Sequence, residues 1–159
     1  MKRGSEDRVR EALSDMDLDT WIYKPPDDAR NWKPADYIVW VNPPDPPELK
    51  SGTQDRLLLA IAKTSFVEVK DVDAVRLFNL KELRPAQKNA ILRSAVMGIP
   101  YWVVVWWRRH GKWTISPGIR LVEAGRSLTF VEMTSSHGIE AEPHLLASTL
   151  RMVLVDEAF

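Results

Sequence analysis

Apolar positions Val9, Ala12, Leu13 and Met16 recur at three- and four-residue spacing behind Ser5, Glu6 and Asp7. A capping hydroxyl, acids in the first turn and one apolar stripe predict a helix over residues 5 to 15. The pattern then shortens. "TWIYK" at 20 to 24 and "ADYIVWV" at 35 to 41 read as strands, divided by a loop rich in Pro, Asp and Asn. The second strand is stopped by "NPPDPP", because proline cannot donate to a ladder. "QDRLLLAIAK" fits either a short helix or a strand, and "SFVEVK" at 65 to 70 is the next strand.

Pro85 and Gly98 bracket a predicted helix over residues 85 to 97, with proline at its first position and glycine just beyond its end. Its inward stripe is Gln87, Ala90, Ile91, Ser94 and Ala95, and Arg84, Lys88 and Arg93 face outward. "PYWVVVWW" is apolar on both faces and so predicts a central, covered strand. A turn at "RRHGK", strands at "WTIS" and "SLTFVEM", and a terminal helix from about 143 to 155 complete the order. No internal repeat occurs. Strands bounded by helices in this order predict an α/β fold, with a mixed sheet flanked by helices.

At 159 residues the chain suits a single domain over 1–159. It has no cysteine, which excludes disulfides, thiol catalysis and thiolate metal sites. "MKRGSEDRVREAL" has no apolar stretch of the kind a signal peptide carries, and "GIPYWVVVWW" is well short of the roughly 20 residues a spanning helix needs. A cytoplasmic protein with no membrane partner is expected. Net charge is zero, yet charge is segregated along the chain. From Arg76 to Trp113 eight basic residues face Glu82 alone, and beyond Leu121 acids outnumber bases. Such segregation builds either a basic footprint for nucleic acid or a solvated helix face.

The candidate chemistry begins at "FVEVK". Alternation in a strand puts Glu68 and Lys70 on one face and Val67 and Val69 on the other. The pair is either an ion pair on a half-exposed strand or half of a site for phosphodiester hydrolysis. That chemistry needs a hard divalent cation, which takes oxygen ligands, and a nearby cation to position water or offset charge. The missing acid is either Asp36, at the start of "DYIVWV", or Glu6 on the first helix. Each also has a bland reading, as a turn residue and as a first-turn acid. Gln87 either lies at the margin of its stripe or points toward Glu68 and Lys70, since a buried amide requires partners.

Taken in order, "RGSEDRVREAL", "DYIVWV", "FVEVKDVD", "LFNLKELRPAQKNAI" and "GIPYWVVVWWRRHGKWTISP" resemble the PD-(D/E)xK nuclease superfamily, within it the Holliday junction resolvases of the archaeal Hjc and bacterial RecU types. The resemblance spans most of residues 3 to 117. It implies a restriction-endonuclease-like sheet and a magnesium-dependent endonuclease, with manganese as a substitute, acting as a homodimer on branched DNA, the four-way junction. Asp36 and Glu68 would be metal ligands together with the carbonyl of Val69. Lys70 would orient or activate water, Glu6 would assist at the metal, and Gln87 would support the site. The cytoplasm would be that of a host if a phage encodes the chain. Two features depart from the family pattern: the long stretch between Asp36 and Glu68, and Ala35 standing where a proline precedes the aspartate.

Arg84, Lys88, Arg93, Arg108, Arg109 and Lys112, with Arg3 near the start, are the expected phosphate contacts. Trp106 and Trp107, directly before Arg108 and Arg109, serve either core packing and interfaces or stacking on unpaired bases. His110, His137 and His144 have no metal-ligand spacing. Other readings are a flap, end or restriction-like nuclease of the same superfamily, and a DNA-binding domain that keeps the fold without catalysis.

Overall fold

The computed structural model describes residues 4–16, 20–25, 35–41, 63–73 and 77–155. Helix α1, Ser5–Ser14, forms where Val9, Ala12 and Leu13 bury one stripe and Glu6 and Asp7 occupy the positive end of the helix. Strands β1 (Thr20–Tyr23), β2 (Tyr37–Val41) and β3 (Lys63–Val72) follow. A short β4 (Leu77–Phe78) and a 3-10 turn at Leu80–Glu82 lead into α2, Pro85–Val96. Then come β5 (Tyr101–Trp107), β6 (Lys112–Pro117), α3 (Gly118–Ala124), β7 (Leu128–Thr129), β8 (Ile139–Ala141) and α4 (Leu146–Leu154).

Six strands form one mixed sheet in the order β1-β2-β3-β5-β6-β8, and β4 and β7 make a separate two-stranded ribbon. Within the large sheet β3 and β5 run parallel, and every other neighbouring pair is antiparallel. The parallel pair follows from the connection: a crossover through α2 returns the chain to the same end of the sheet. This mixed α/β architecture, flanked by helices, is compatible with a restriction-endonuclease-like fold.

The sheet carries a core on each face. Val67, Val69, Val104 and Ile115 pack with Val9 and Leu13 of α1 and Leu150 and Val153 of α4. On the other face, Phe66, Val103, Val105 and Trp107 pack with Ile91 of α2, Leu121 of α3, Leu128 and Met133. The apolar run of β5 is therefore central and covered on both faces, as its composition predicts. Among the described residues no helix is long and apolar enough to cross a membrane.

Two expectations are corrected. "SLTFVEM" is not one strand: only Leu128–Thr129 is extended, followed by a helical turn at Phe130–Glu132 and a π turn at Met133–His137. The cause is a capping box, in which the Thr129 hydroxyl accepts from the Glu132 amide while the Glu132 carboxylate accepts from Thr129 N–H at 2.8 Å. On α2, Ile91 and Ser94 are buried and Gln87 and Ala90 half-buried, but Ala95 is exposed. The buried stripe of this helix is narrower than predicted. The "QDRLLLAIAK" stretch lies outside the described residues except for Lys63, which opens β3.

Candidate active site

The site lies where β2 parts from β3. Their pairing ends at Tyr37↔Val67, whereas β3 continues beside β5 to Val72↔Trp107. Past Val67 the β2-facing edge of β3 has no β2 partner, and Asp36, the residue before β2, fills the gap. Its Oδ2 accepts the backbone N–H of Val69 at 2.8 Å, and the side chain is 7% exposed. The N–H and C=O of one strand residue project toward the same edge, so the Val69 carbonyl is directed to the side of Asp36.

Alternation along β3 aims Glu68 and Lys70 at the face covered by α2, as expected from the sequence. Glu68 is only 2% exposed, so its charge requires compensation. Lys70 Nζ supplies it at 2.8 Å from Oε1. The same oxygen accepts the Gln87 side-chain amide. Gln87 is the third residue of α2, and its Oε1 accepts the Arg84 N–H at 2.8 Å, one of the otherwise unpaired donors at the start of that helix. Lys70 Nζ also reaches Gln87 Oε1 at 3.4 Å. One amide thus ties the start of α2 to the buried ion pair. Of the two positions left open by the sequence, Gln87 occupies the one that points to the pair.

Tyr101, which the sequence reading passed over, completes the group. It opens β5 opposite Phe66, and its hydroxyl lies 3.5 Å from Glu68 Oε2. Burial above all, then the charges of Glu68 and Asp36, pushes its phenol well above the ordinary value, so it is a donor at any working pH. Its signal was present: position 101 is the only hydroxyl-bearing residue on the α2-facing side of "YWVVVWW". Reading it required the parallel register of β3 and β5.

Glu6 sits on α1, against the opposite face of the sheet, with Lys24 at 2.8 Å from its carboxylate. Its backbone carbonyl accepts the Tyr37 hydroxyl at 3.0 Å. Burial raises the Tyr37 pKa; Lys24 opposes this, and Glu6 and Asp36 both add to it. Glu6 and Asp36 therefore share an electrostatic neighbourhood through Tyr37. Among the described residues no three or more His, Cys, Asp or Glu side chains converge in an arrangement that could hold a metal. The structure brings together Glu68, Lys70, Gln87 and Tyr101, sets Asp36 and Val69 beside them, and leaves Glu6 apart. The donor chemistry of Asp36, Glu68 and the Val69 carbonyl is all oxygen, the kind a hard cation such as magnesium or manganese takes.

The expected phosphate contacts divide. Arg84, Arg93 and Arg109 are exposed and Lys88 is half-buried. Arg108 is engaged by Asp71 at 2.8 Å and Asp73 at 3.3 Å. Lys112 pairs with Glu140, and with Glu142 at 3.0 Å. The charge segregation along the sequence is thus partly cancelled in space, because β8 brings the acidic segment beside β6. Arg3 and Arg76 lie outside the described residues. Trp107 is 1% exposed and donates to the Thr114 hydroxyl at 2.9 Å, so its place is the core and not a stacking platform. Trp106 is half-buried, with the Arg8 guanidinium 5.1 Å from its ring centroid. His110 stacks on Phe130 at 4.1 Å, and His137 Nδ1 lies 3.1 Å from the Glu132 carbonyl. No protein-family model matches the chain, and no curated protein matches it.

Proposed function

We propose that this protein is a divalent-metal-dependent endonuclease that resolves four-way DNA junctions as a homodimer in the cytoplasm. One observation carries the reading: a buried Glu68–Lys70 ion pair from an E-x-K triplet stands beside the carboxylate of Asp36 at the point where two strands part. A buried ion pair is weak evidence for stability, because desolvation offsets its attraction. A functional role accounts better for keeping one in a sheet in which, among the described residues, no other fully buried strand position carries a charge.

Asp36, Glu68 and the Val69 carbonyl would hold magnesium or manganese. The cation would supply Lewis-acid stabilisation of the phosphoryl oxygens and lower the pKa of a water. Lys70, 2.8 Å from Glu68, would orient the attacking water by hydrogen bonding and offset charge on the phosphoryl group as the new P–O bond forms and the bridging P–O bond breaks. Gln87 fixes Lys70 and Glu68 relative to α2, so the group is held by a helix and two strands and not by loops. Glu6, on the opposite face and paired with Lys24, would reach this group only through Tyr37, whose hydroxyl donates to its backbone carbonyl. Exposed Arg84, Arg93 and Arg109 and half-buried Lys88 would grip phosphates without reading bases. A two-fold junction requires two sites on opposed strands, which a symmetric dimer provides.

The substrate class is tested by competition. A labelled four-way junction is incubated with magnesium alongside equal amounts of flap and linear duplex, and products are resolved on denaturing gels. Paired nicks in the junction alone support the reading. Cutting confined to flap or duplex replaces the substrate and keeps the chemistry.

A further inference from the structure

Glu68 has two oxygens, and they face different partners. Oε1 takes Lys70 and Gln87, whereas Oε2 faces the Tyr101 hydroxyl. The terminal torsion of a glutamate is broad and nearly two-fold, so a carboxylate held at one oxygen alone can rotate about its last bond. Contacts at both oxygens restrict that rotation. The Tyr101 ring is itself fixed: it is 5% exposed and meets Phe66 edge-on at 5.9 Å. Gly118 also packs so closely that a Cβ there would lie 3.1 Å from Tyr101 Cδ1. The other β5 residues on this face, Val103, Val105 and Trp107, offer Glu68 no comparable hydroxyl.

Resting on the metal-site reading above, we propose that Tyr101 is a positioning residue of this centre: its hydroxyl holds Glu68 Oε2 while Lys70 and Gln87 hold Oε1, so the carboxylate meets the cation in one fixed orientation. The partners behind a metal ligand commonly account for 10- to 100-fold in metal affinity. At 3.5 Å the contact is long, so the low end of that range, about tenfold, applies.

The test is a Mn2+ titration of wild type, Tyr101→Phe and Glu68→Gln, with free Mn2+ read by electron paramagnetic resonance and folding followed by circular dichroism. Tyr101→Phe keeps the ring and removes only the hydroxyl. A Kd raised about tenfold, with a melting temperature close to wild type, supports the positioning role, since a purely packing role leaves the affinity of the folded protein unchanged. An unchanged or lower Kd in Tyr101→Phe, with binding still lost in Glu68→Gln, overturns the role of Tyr101 and leaves the metal centre standing. No Mn2+ binding by wild type overturns both.

Discussion

Removing Lys70 exposes how the buried pair is balanced. In Lys70→Met the Glu68 carboxylate, 2% exposed, loses the ammonium at 2.8 Å and keeps the Gln87 amide and the Tyr101 hydroxyl among its compensating partners. Breaking a buried pair by removing one partner costs about 3–5 kcal/mol. At least these two donors remain, and Lys70 itself is 16% exposed, so the expected loss lies at the low end, about 3 kcal/mol. Adding Glu68→Leu to Lys70→Met then removes the orphaned charge. Gln87 is half-buried, so its freed amide can turn to water, whereas the buried Tyr101 hydroxyl loses Glu68 Oε2 as an acceptor. The double variant is expected to recover about 2 kcal/mol over Lys70→Met alone, so the second substitution stabilises what the first destabilised.

Urea unfolding followed by tryptophan fluorescence measures both variants, since Trp102, Trp107 and Trp113 are buried in the core. The midpoint should shift and the slope stay constant. Two results refute the reasoning: Lys70→Met within about 0.5 kcal/mol of wild type, or a double variant less stable than Lys70→Met.

Three other perturbations have defined outcomes. A Cβ at position 138 would stand 2.3 Å from Ser116 Oγ and 2.6 Å from the Ile115 carbonyl oxygen, so Gly138→Ala should destabilise by about 1–3 kcal/mol in the same urea assay, through displaced backbone and not through φ. Glu132, hydrogen-bonded first by Arg126 and then by Thr129, has its carboxyl held down to about 2 from 4.5; its contribution is present above the unfolded value of 4.5 and lost as pH falls through about 2, so an NMR titration should place its midpoint near 2 and Arg126→Ala should raise it. If exposed cations grip phosphate, Arg93→Ala should reduce the salt slope of junction binding by about one, whereas Lys112→Ala, already paired with Glu140 and Glu142, should change it less.

Local signals carried the fold as far as local physics decides it. Pro85 and Gly98, the latter at φ +71°, bounded α2 because each suits its end of a helix for its own backbone reason. The alternation of "FVEVK" put Glu68 and Lys70 on one face, and the position of Asp36 at a strand start placed it at the gap. What stayed hidden depends on pairing distant in sequence. Tyr101 looked like one more apolar residue until the register Phe66↔Tyr101 set it beside Glu68. Lys112 looked like a free cation until β8 paired with β6 and brought Glu140 to it. At "SLTFVEM" the β-favouring composition masked the Thr129-x-x-Glu132 capping box, which turns the chain into a helical turn.

The central claim, that Asp36, Glu68 and Lys70 form a hydrolytic centre, is tested most directly by one cleavage measurement. A synthetic four-way junction labelled on each strand in turn is incubated with wild type and Glu68→Gln, in magnesium and in EDTA. The account predicts symmetric nicks by wild type in magnesium, abolished by EDTA and by the substitution, while Glu68→Gln still binds the junction. Cleavage by Glu68→Gln at the wild-type rate, or binding by wild type with no cleavage of any DNA in magnesium or manganese, would contradict it.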